Sequence, residues 1–303
     1  GLLSDPYIIG NLRDIKKLSE KTNKTSTSSA NYTYTSRYFK QTANINLGGS
    51  SAGNWTPIGK NATRFNGTYD GGSKTISGLY INHPSGDMGD RGLFGNTNTK
   101  ATIKNLTISG ANVTTISINS AICVGYNRGT IENVKISGGT LSVGSQSGGI
   151  AGYNDGGIIT SCTNSATIKY TSTVSSSSWG RGWSIGGIVG SSTGTIQKCT
   201  NTGSITGTHG AGGIVGSGNV SIKLSVNKGN IISTEVVNGY TMIGGIIGFL
   251  AYEGTGTIEN CYNTLVIFLW RWRNGGPSTL FPPGLGPVRP DGRHAGGPVG
   301  GAA

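Results

Sequence analysis

The stretch GGIVGSSTGTIQKCTNTGSITG, Gly186 to Gly207, sets three short apolar phrases among glycines and small polar residues. Each phrase is too short for a helix and rich in β-branched residues, so each reads as a short strand between Gly/Asn turns. The same order of phrases recurs along the chain. Its glycine-framed opening appears as GLFG (92–95), AICVG (121–125), GGIAG (148–152), GGIVG (186–190 and again 212–216) and GGIIG (244–248). The closing glycines, Gly95, Gly125, Gly152, Gly190, Gly216 and Gly248, stand 30, 27, 38, 26 and 32 residues apart. Those intervals are typical of solenoid repeats.

A second phrase follows each opening. Its first isoleucine falls at Ile103, Ile131, Ile159, Ile196, Ile222 and Ile258, and three residues later stand Leu106, Val134, Cys162, Cys199, Ser225 and Cys261. Two beyond that, Asn164, Asn201, Asn227 and Asn263 recur in the later units. A unit of this size matches one coil of a β-helix whose coils stack about 4.8 Å apart, so that equal positions form ladders. The expected fold is therefore all-β: a β-helix, or solenoid, of about three short strands per coil. The isoleucines face inward. Cys162, Cys199 and Cys261 share a slot with Leu, Val and Ser, which describes small buried thiols better than nucleophiles or metal ligands. Cys162 and Cys199 lie in adjacent coils, so a disulfide between them stays open. The four asparagines are expected at a corner, where Asn tolerates the left-handed conformation.

The phrases of 186–207 and GGIAGYNDGGIITSCTNSATI (148–168) resemble the GLUG-repeat family of bacterial surface proteins. The segment ANINLGGSSAGNWTPIGKNATRFNGTYDGGSKTISGLYI (43–81), followed by RGLFG, is similar to the lead-in of such arrays, with Trp55, Phe65 and Tyr69 filling a wider end. The match spans residues 43–264. It implies a solenoid displayed outside a cell, as in adhesins. It also implies kinship with the repeats found beside the catalytic domain of IgA-specific zinc metallopeptidases. No catalysis carries over from that context, because His83, His209 and His294 form no H-E-x-x-H arrangement.

Three regions follow: an N-terminal cap of helix plus strand (1–42), the solenoid (43–264) and an atypical tail (265–303). Residues 5–21, DPYIIGNLRDIKKLSEK, carry the best helical pattern, with Leu12, Ile15 and Leu18 on one face, and a strand is expected in RYFKQTANINL. An exposed solenoid end needs such cover; a partner-binding helix is the alternative. The chain opens on Gly without an apolar leader, which reads as a mature form or a fragment. The tail holds six of the nine prolines and four Arg but no Lys, against fourteen Lys and six Arg before it. That switch suggests a frameshifted, chimeric or vector-derived end, or else an interfacial anchor in LVIFLWRWR.

Charged residues make up only 12% of the chain, and the formal charge is +12. The cations are scattered and not interleaved with aromatics, so a nucleic-acid partner is not expected. No apolar run of 18 residues marks a membrane span. The acids Asp70, Asp87, Asp90, Glu132, Asp155, Glu235, Glu253 and Glu259 give no general acid/base pair, since Glu132 and Glu259 sit four units apart. Asp87, Asp90 and His83 share one loop that reads either as a cation site or, better, as a solvated turn. No catalytic residue, cofactor or metal is expected. The function expected is an extracellular or cell-surface, adhesin-like module whose partner is a host or matrix protein or a glycan, with self-association as a further option. The alternative is an accessory repeat region of a larger secreted enzyme. Trp179, Trp183 and Tyr240, in the loops of the two longest later intervals, are the candidate contact residues.

Overall fold

The computed structural model describes residues 1–24, 36–50, 53–84, 89–144, 146–171, 184–207, 210–233, 242–250, 256–264 and 267–268. Every pairing between its named strands is parallel, because each strand bonds to its counterpart one coil away. The chain winds as a β-solenoid, and its described residues form three sheets, of 19, 5 and 6 strands. One coil shows the anatomy: Ser147–Gly148, Ala151–Asn154, Ile158–Thr160, Thr163–Asn164 and Thr167–Tyr170, the last three lying in the large sheet.

Ladders run the length of the stack. Tyr7, Phe39, Tyr69, Ile103, Ile131, Ile159, Ile196, Ile222 and Ile258 are partners in unbroken succession. From Phe39 to Ile222 these side chains are buried. Each contributes on the order of 1.5–3 kcal/mol on leaving water. Ile81, Val113, Leu141, Ile168, Ile205 and Ile231 form a second buried row. At the wide end Trp55, Phe65 and Tyr69 join Phe39 and Phe94 in the same core, with Phe65 and Phe94 ring centroids 5.2 Å apart.

The left-handed corner lies elsewhere than the sequence suggests. Positive φ occurs at Asn105, Asn133, Ser161, Lys198, Leu224 and Asn260, all between 51° and 54°. Each stands two residues after the ladder isoleucine and immediately before the Leu/Val/Cys/Ser slot. Asn164, Asn201, Asn227 and Asn263 are not there. They continue a ladder that begins Ile45, Ile76, Ile108, Ile136. Where this slot holds isoleucine, the next inward residue comes five positions later, as from Ile136 to Leu141. Where it holds asparagine, it comes four later, as from Asn201 to Ile205. The carboxamide replaces part of the turn. Asn201 Oδ1 accepts from Gly203 N–H at 3.2 Å while Nδ2 donates to Gly203 O at 2.9 Å.

The doubled glycine of the later openings belongs to the same substitution. A Cβ at Gly149, Gly187, Gly213 or Gly245 would collide with the carboxamide of Asn164, Asn201, Asn227 or Asn263, respectively. The preceding coil, with Ile136 in the slot, has Ile122 at the position of Gly149.

The N-terminal helix spans Leu12–Asn23, shorter and later than the pattern over 5–21 implies. Tyr7–Ile9 is a strand, paired to Tyr38–Gln41, whose open edge outcompetes the helical pattern of this β-branched, Gly-terminated segment. Asn11 caps the helix by accepting from Asp14 N–H at 3.2 Å, and Asp14 Oδ2 accepts from Gly10 N–H at 2.9 Å. Ile15 and Leu18 enter the solenoid core, and Ser19 Oγ donates to Thr56 O at 2.8 Å. The expected strand in RYFKQTANINL is two, Tyr38–Gln41 and Ile45–Asn46, both paired to Thr68–Ser77.

Candidate functional site

Two rows of asparagines along the coils are committed to one another and to their neighbours. Asn164 Nδ2 donates to Asn201 Oδ1 (2.9 Å), Asn201 Nδ2 to Asn227 Oδ1 (2.9 Å) and Asn227 Nδ2 to Asn263 Oδ1 (2.8 Å). A second buried row runs from Thr97 Oγ1 to Asn127 Oδ1 (2.9 Å), from Asn127 Nδ2 to Asn154 Oδ1 (2.7 Å) and from Asn154 Nδ2 to Ser192 Oγ (3.1 Å). Buried amides satisfied in this way hold coils in register and offer nothing to a ligand.

The cysteine slot is equally closed. Cys162, Cys199 and Cys261 donate to the carbonyls of Thr160, Gln197 and Glu259 at 3.2, 3.2 and 3.3 Å. Ser225 Oγ makes the same bond to Lys223 O at 2.9 Å. All four cysteines are free thiols, so the open question of a Cys162–Cys199 bridge is answered by stacked thiols. Burial pushes the Cys123 and Cys162 thiols well above the ordinary range, away from the thiolate that a nucleophile needs.

Asp70 sits at a bulge, where the register of Thr68–Ser77 on Thr102–Thr115 shifts between Asp70 and Lys74. Burial pushes its carboxyl up, but bonds from Gly72 N–H, Lys40 Nζ, Asn105 Nδ2 and Tyr38 O–H overcome this and hold it down at about 2. On another face Arg128 Nε donates to Asp155 Oδ2 at 2.8 Å and Tyr126 O–H donates to the same oxygen at 2.9 Å. Burial, and then Asp155, push the Tyr126 phenol up to about 12.

A cleft of about 780 Å³ opens where the 54–64 segment meets the turns around residues 89–96 and 118–128. Lys60, Arg64, Arg91 and Arg128 line it, with His83 and a single described carboxylate, Asp90. Asp90 is spent internally, accepting from Asn96 Nδ2 at 2.7 Å and Asn119 Nδ2 at 2.8 Å. Trp55 forms part of the wall and is fixed by its Nε1–H bond to Leu93 O at 3.0 Å.

Of the residues singled out in the sequence, the Ile, Cys and Asn positions sit in the ladders. Trp179, Trp183, Tyr240, Asp87, Glu235, Glu253, His209, His294 and the tail from 269 lie outside the described residues. Among the described residues no group of three or more His, Cys, Asp or Glu is placed to hold a metal ion, and no helix is long and apolar enough to cross a membrane. Sequence reasoning missed the cleft because its cations come from separate segments, each unremarkable in line. One signal was available. VGYNRG (124–129) and AGYNDG (151–156) are one phrase with Arg and Asp exchanged, and Tyr126 pairs with Tyr153, so the ion pair is a cross-coil contact.

These features define a parallel β-solenoid repeat protein with a closed polar interior and a basic cleft beside its first coils. Residues 143–169 and 181–206 match the family model described as the GLUG motif. Over 99 residues, 32% of the chain, it is 42% identical to Halomucin of Haloquadratum walsbyi. Over 97 residues, 31% of the chain, it is 34% identical to a provisionally named Gly-rich membrane protein of Evansella cellulosilytica. These matches span only 1% and 11% of the two relatives. Among solved structures, a provisionally named immunoglobulin A1 protease from Bacteroides ovatus superposes with a TM-score of 0.67 at 22% identity, over 93% of this chain and 81% of that one. At that identity the likeness is one of fold.

Proposed function

We propose that the chain is a non-catalytic repeat module of an extracellular or cell-surface protein, adhesin-like, whose solenoid extends and presents a surface to a host or matrix protein or a glycan. The observation that carries this reading is the interior. Its two asparagine rows and the thiols of Cys162, Cys199 and Cys261 are engaged in bonds between and within coils, so recognition falls to the outer faces and their clefts. The GLUG match and the relatives named Halomucin and Gly-rich membrane protein support a surface setting. The test is binding of the full chain to a glycan array and to immobilised matrix proteins. Saturable binding to a defined ligand supports the module; no binding on either platform leaves a passive spacer and sinks the reading.

The second reading, an accessory repeat region of a larger secreted enzyme such as a zinc metallopeptidase, draws on the provisional name of the Bacteroides ovatus protein. Sequencing the surrounding reading frame discriminates: an in-frame zinc-peptidase motif favours this reading, and a cell-wall sorting signal favours the first.

A further inference from the structure

We propose that the two ends of the solenoid bind each other, so that copies of this chain stack head to tail, the last coil of one on the first strand of the next. The proposal goes beyond the module reading above and does not depend on which ligand the module takes. Apolar exposure points to the ends. Of the nine large hydrophobic side chains that are exposed among the described residues, four lie within residues 2–8 and four within residues 224–262, in the last two coils. Ile158 alone lies between. Apolar surface gathered in this way marks an interaction site. Ile258 is 46% exposed, whereas its row partners from Ile103 to Ile222 are buried, so the last coil presents the surface that each earlier coil buries on the next.

The two ends also match in register. At the N-terminal end the helix covers the core through Ile15 and Leu18, yet Tyr7 and Ile8 stay 41% and 54% exposed. Tyr7 is the first partner of the ladder that Ile258 ends, so seating Ile258 of one copy on Tyr7 of another continues that row in parallel, as at every coil boundary. The backbones are complementary there. Ile9 O accepts from Thr42 N–H, so by alternation the C=O of Pro6 and both polar groups of Ile8 face away from the stack. At the other end Thr257 O and Glu259 O accept from Ile222 N–H and Leu224 N–H, so the N–H and C=O of Ile258 face outward. In the stacked pair Ile258 N–H donates to Pro6 O, and Ile8 N–H donates to Ile258 O. The N–H that Pro6 lacks is not called on. Each copy keeps one end of either kind, so the contact is heterologous and grows without closing. Glu259 then stands beside Ile8 of the next copy.

The test is analytical sedimentation of the full chain over a wide concentration range, in low and in high salt. A thiol reductant is present so that the partly exposed Cys261 forms no bridge. The weight-average mass should rise with concentration past that of a dimer, without a plateau. The rise should be steeper in high salt, where the +12 charge of each copy is screened. Ile8→Glu and Ile8→Lys remove the same exposed side chain, but the neighbouring copy's Glu259 repels the first and attracts the second. In low salt Ile8→Lys should therefore associate several-fold more tightly than Ile8→Glu, the reverse of the order that net charge alone would set. Ile8→Glu keeps an intact last coil, so mixed into the unmodified chain it should shorten the assemblies. A chain that stays monomeric at every concentration and salt overturns the proposal and leaves the ends to residues 269–303 or to a different partner. A dimer that grows no further overturns it too, as does tighter association of Ile8→Glu than of Ile8→Lys. Should either variant fail to fold, the concentration series of the unmodified chain decides. Binding or silence on the glycan and matrix-protein platforms leaves each of these outcomes unaltered.

Discussion

Cys199 and Ser225 occupy successive rungs of one slot, and their side chains make the same bond to the carbonyl two residues back. Cys199→Ser should therefore cost no more than about 1 kcal/mol in urea unfolding, since the hydroxyl inherits an existing geometry. A loss of several kcal/mol would mean that the slot selects sulfur and not size. Asp70 makes a prediction with a sign. Its folded pKa, about 2, lies below the ordinary 3.8, so its stabilisation is complete above the ordinary value and vanishes as pH falls through the folded one. Thermal melts should lose about 2 kcal/mol of stability between pH 4 and pH 2 from this group. Asp70→Asn should be less stable at pH 5 and show a shallower acid limb; coincident limbs would show that the network contributes nothing. The thiol slot was legible in the sequence because its rung partners repeat at the coil period. Asp70 was not, because Tyr38, Lys40, Gly72 and Asn105 converge on it through a bulge that the repeat pattern does not contain.

Among the elements, the corner after the second phrase shows how a side chain sets a backbone length. In the coil with Ile136 the turn reads ISGGTL (136–141), with φ of 68° at Gly138 and 104° at Gly139. Two coils on, NTGSI (201–205) is one residue shorter, and the Asn201 carboxamide bonds both polar groups of Gly203. Asn201→Ile alone should destabilise by about 2 kcal/mol, because Gly203 N–H loses its acceptor and Asn164 Nδ2 and Asn227 Oδ1 lose one partner each. Inserting one glycine after Thr202 recreates the ITGGSI length of the earlier coil and should recover about half of that loss, measured by chemical unfolding. No recovery would show that the asparagine works through its neighbours' amides and not through the turn. The recurrence of these asparagines was plain in line. Their position was misjudged because left-handed preference was assigned from residue type, whereas the stack imposes the left-handed corner on Lys198 and Leu224 as readily as on Asn105. The strand at Tyr7–Ile9 was missed for a related reason: its partner, Tyr38–Gln41, is remote in sequence and supplies the edge that no local pattern reveals.

Over the whole molecule, rungs repeat while coil lengths vary, and this separates what holds the stack from what decorates it. Ile159, Ile196 and Ile222 are successive partners although 37 residues separate the first two and 26 the next, so the register of the ladder does not depend on coil length. A solenoid of this kind owes its stability to neighbour-on-neighbour contacts, and a complete coil should be removable without loss of register. Deleting residues 191–216 joins Gly190 to Ser217 and brings Ile222 onto Ile159, Asn227 onto Asn164 and Ser225 onto Cys162. The resulting protein should fold, keep its β-sheet circular dichroism per residue and shorten by about 4.8 Å in small-angle scattering. Deleting only residues 191–203 should abolish cooperative unfolding, because it sets the inward rows of one coil against the outward rows of the next. Equal tolerance of the two deletions would show that the ladders do not fix the register.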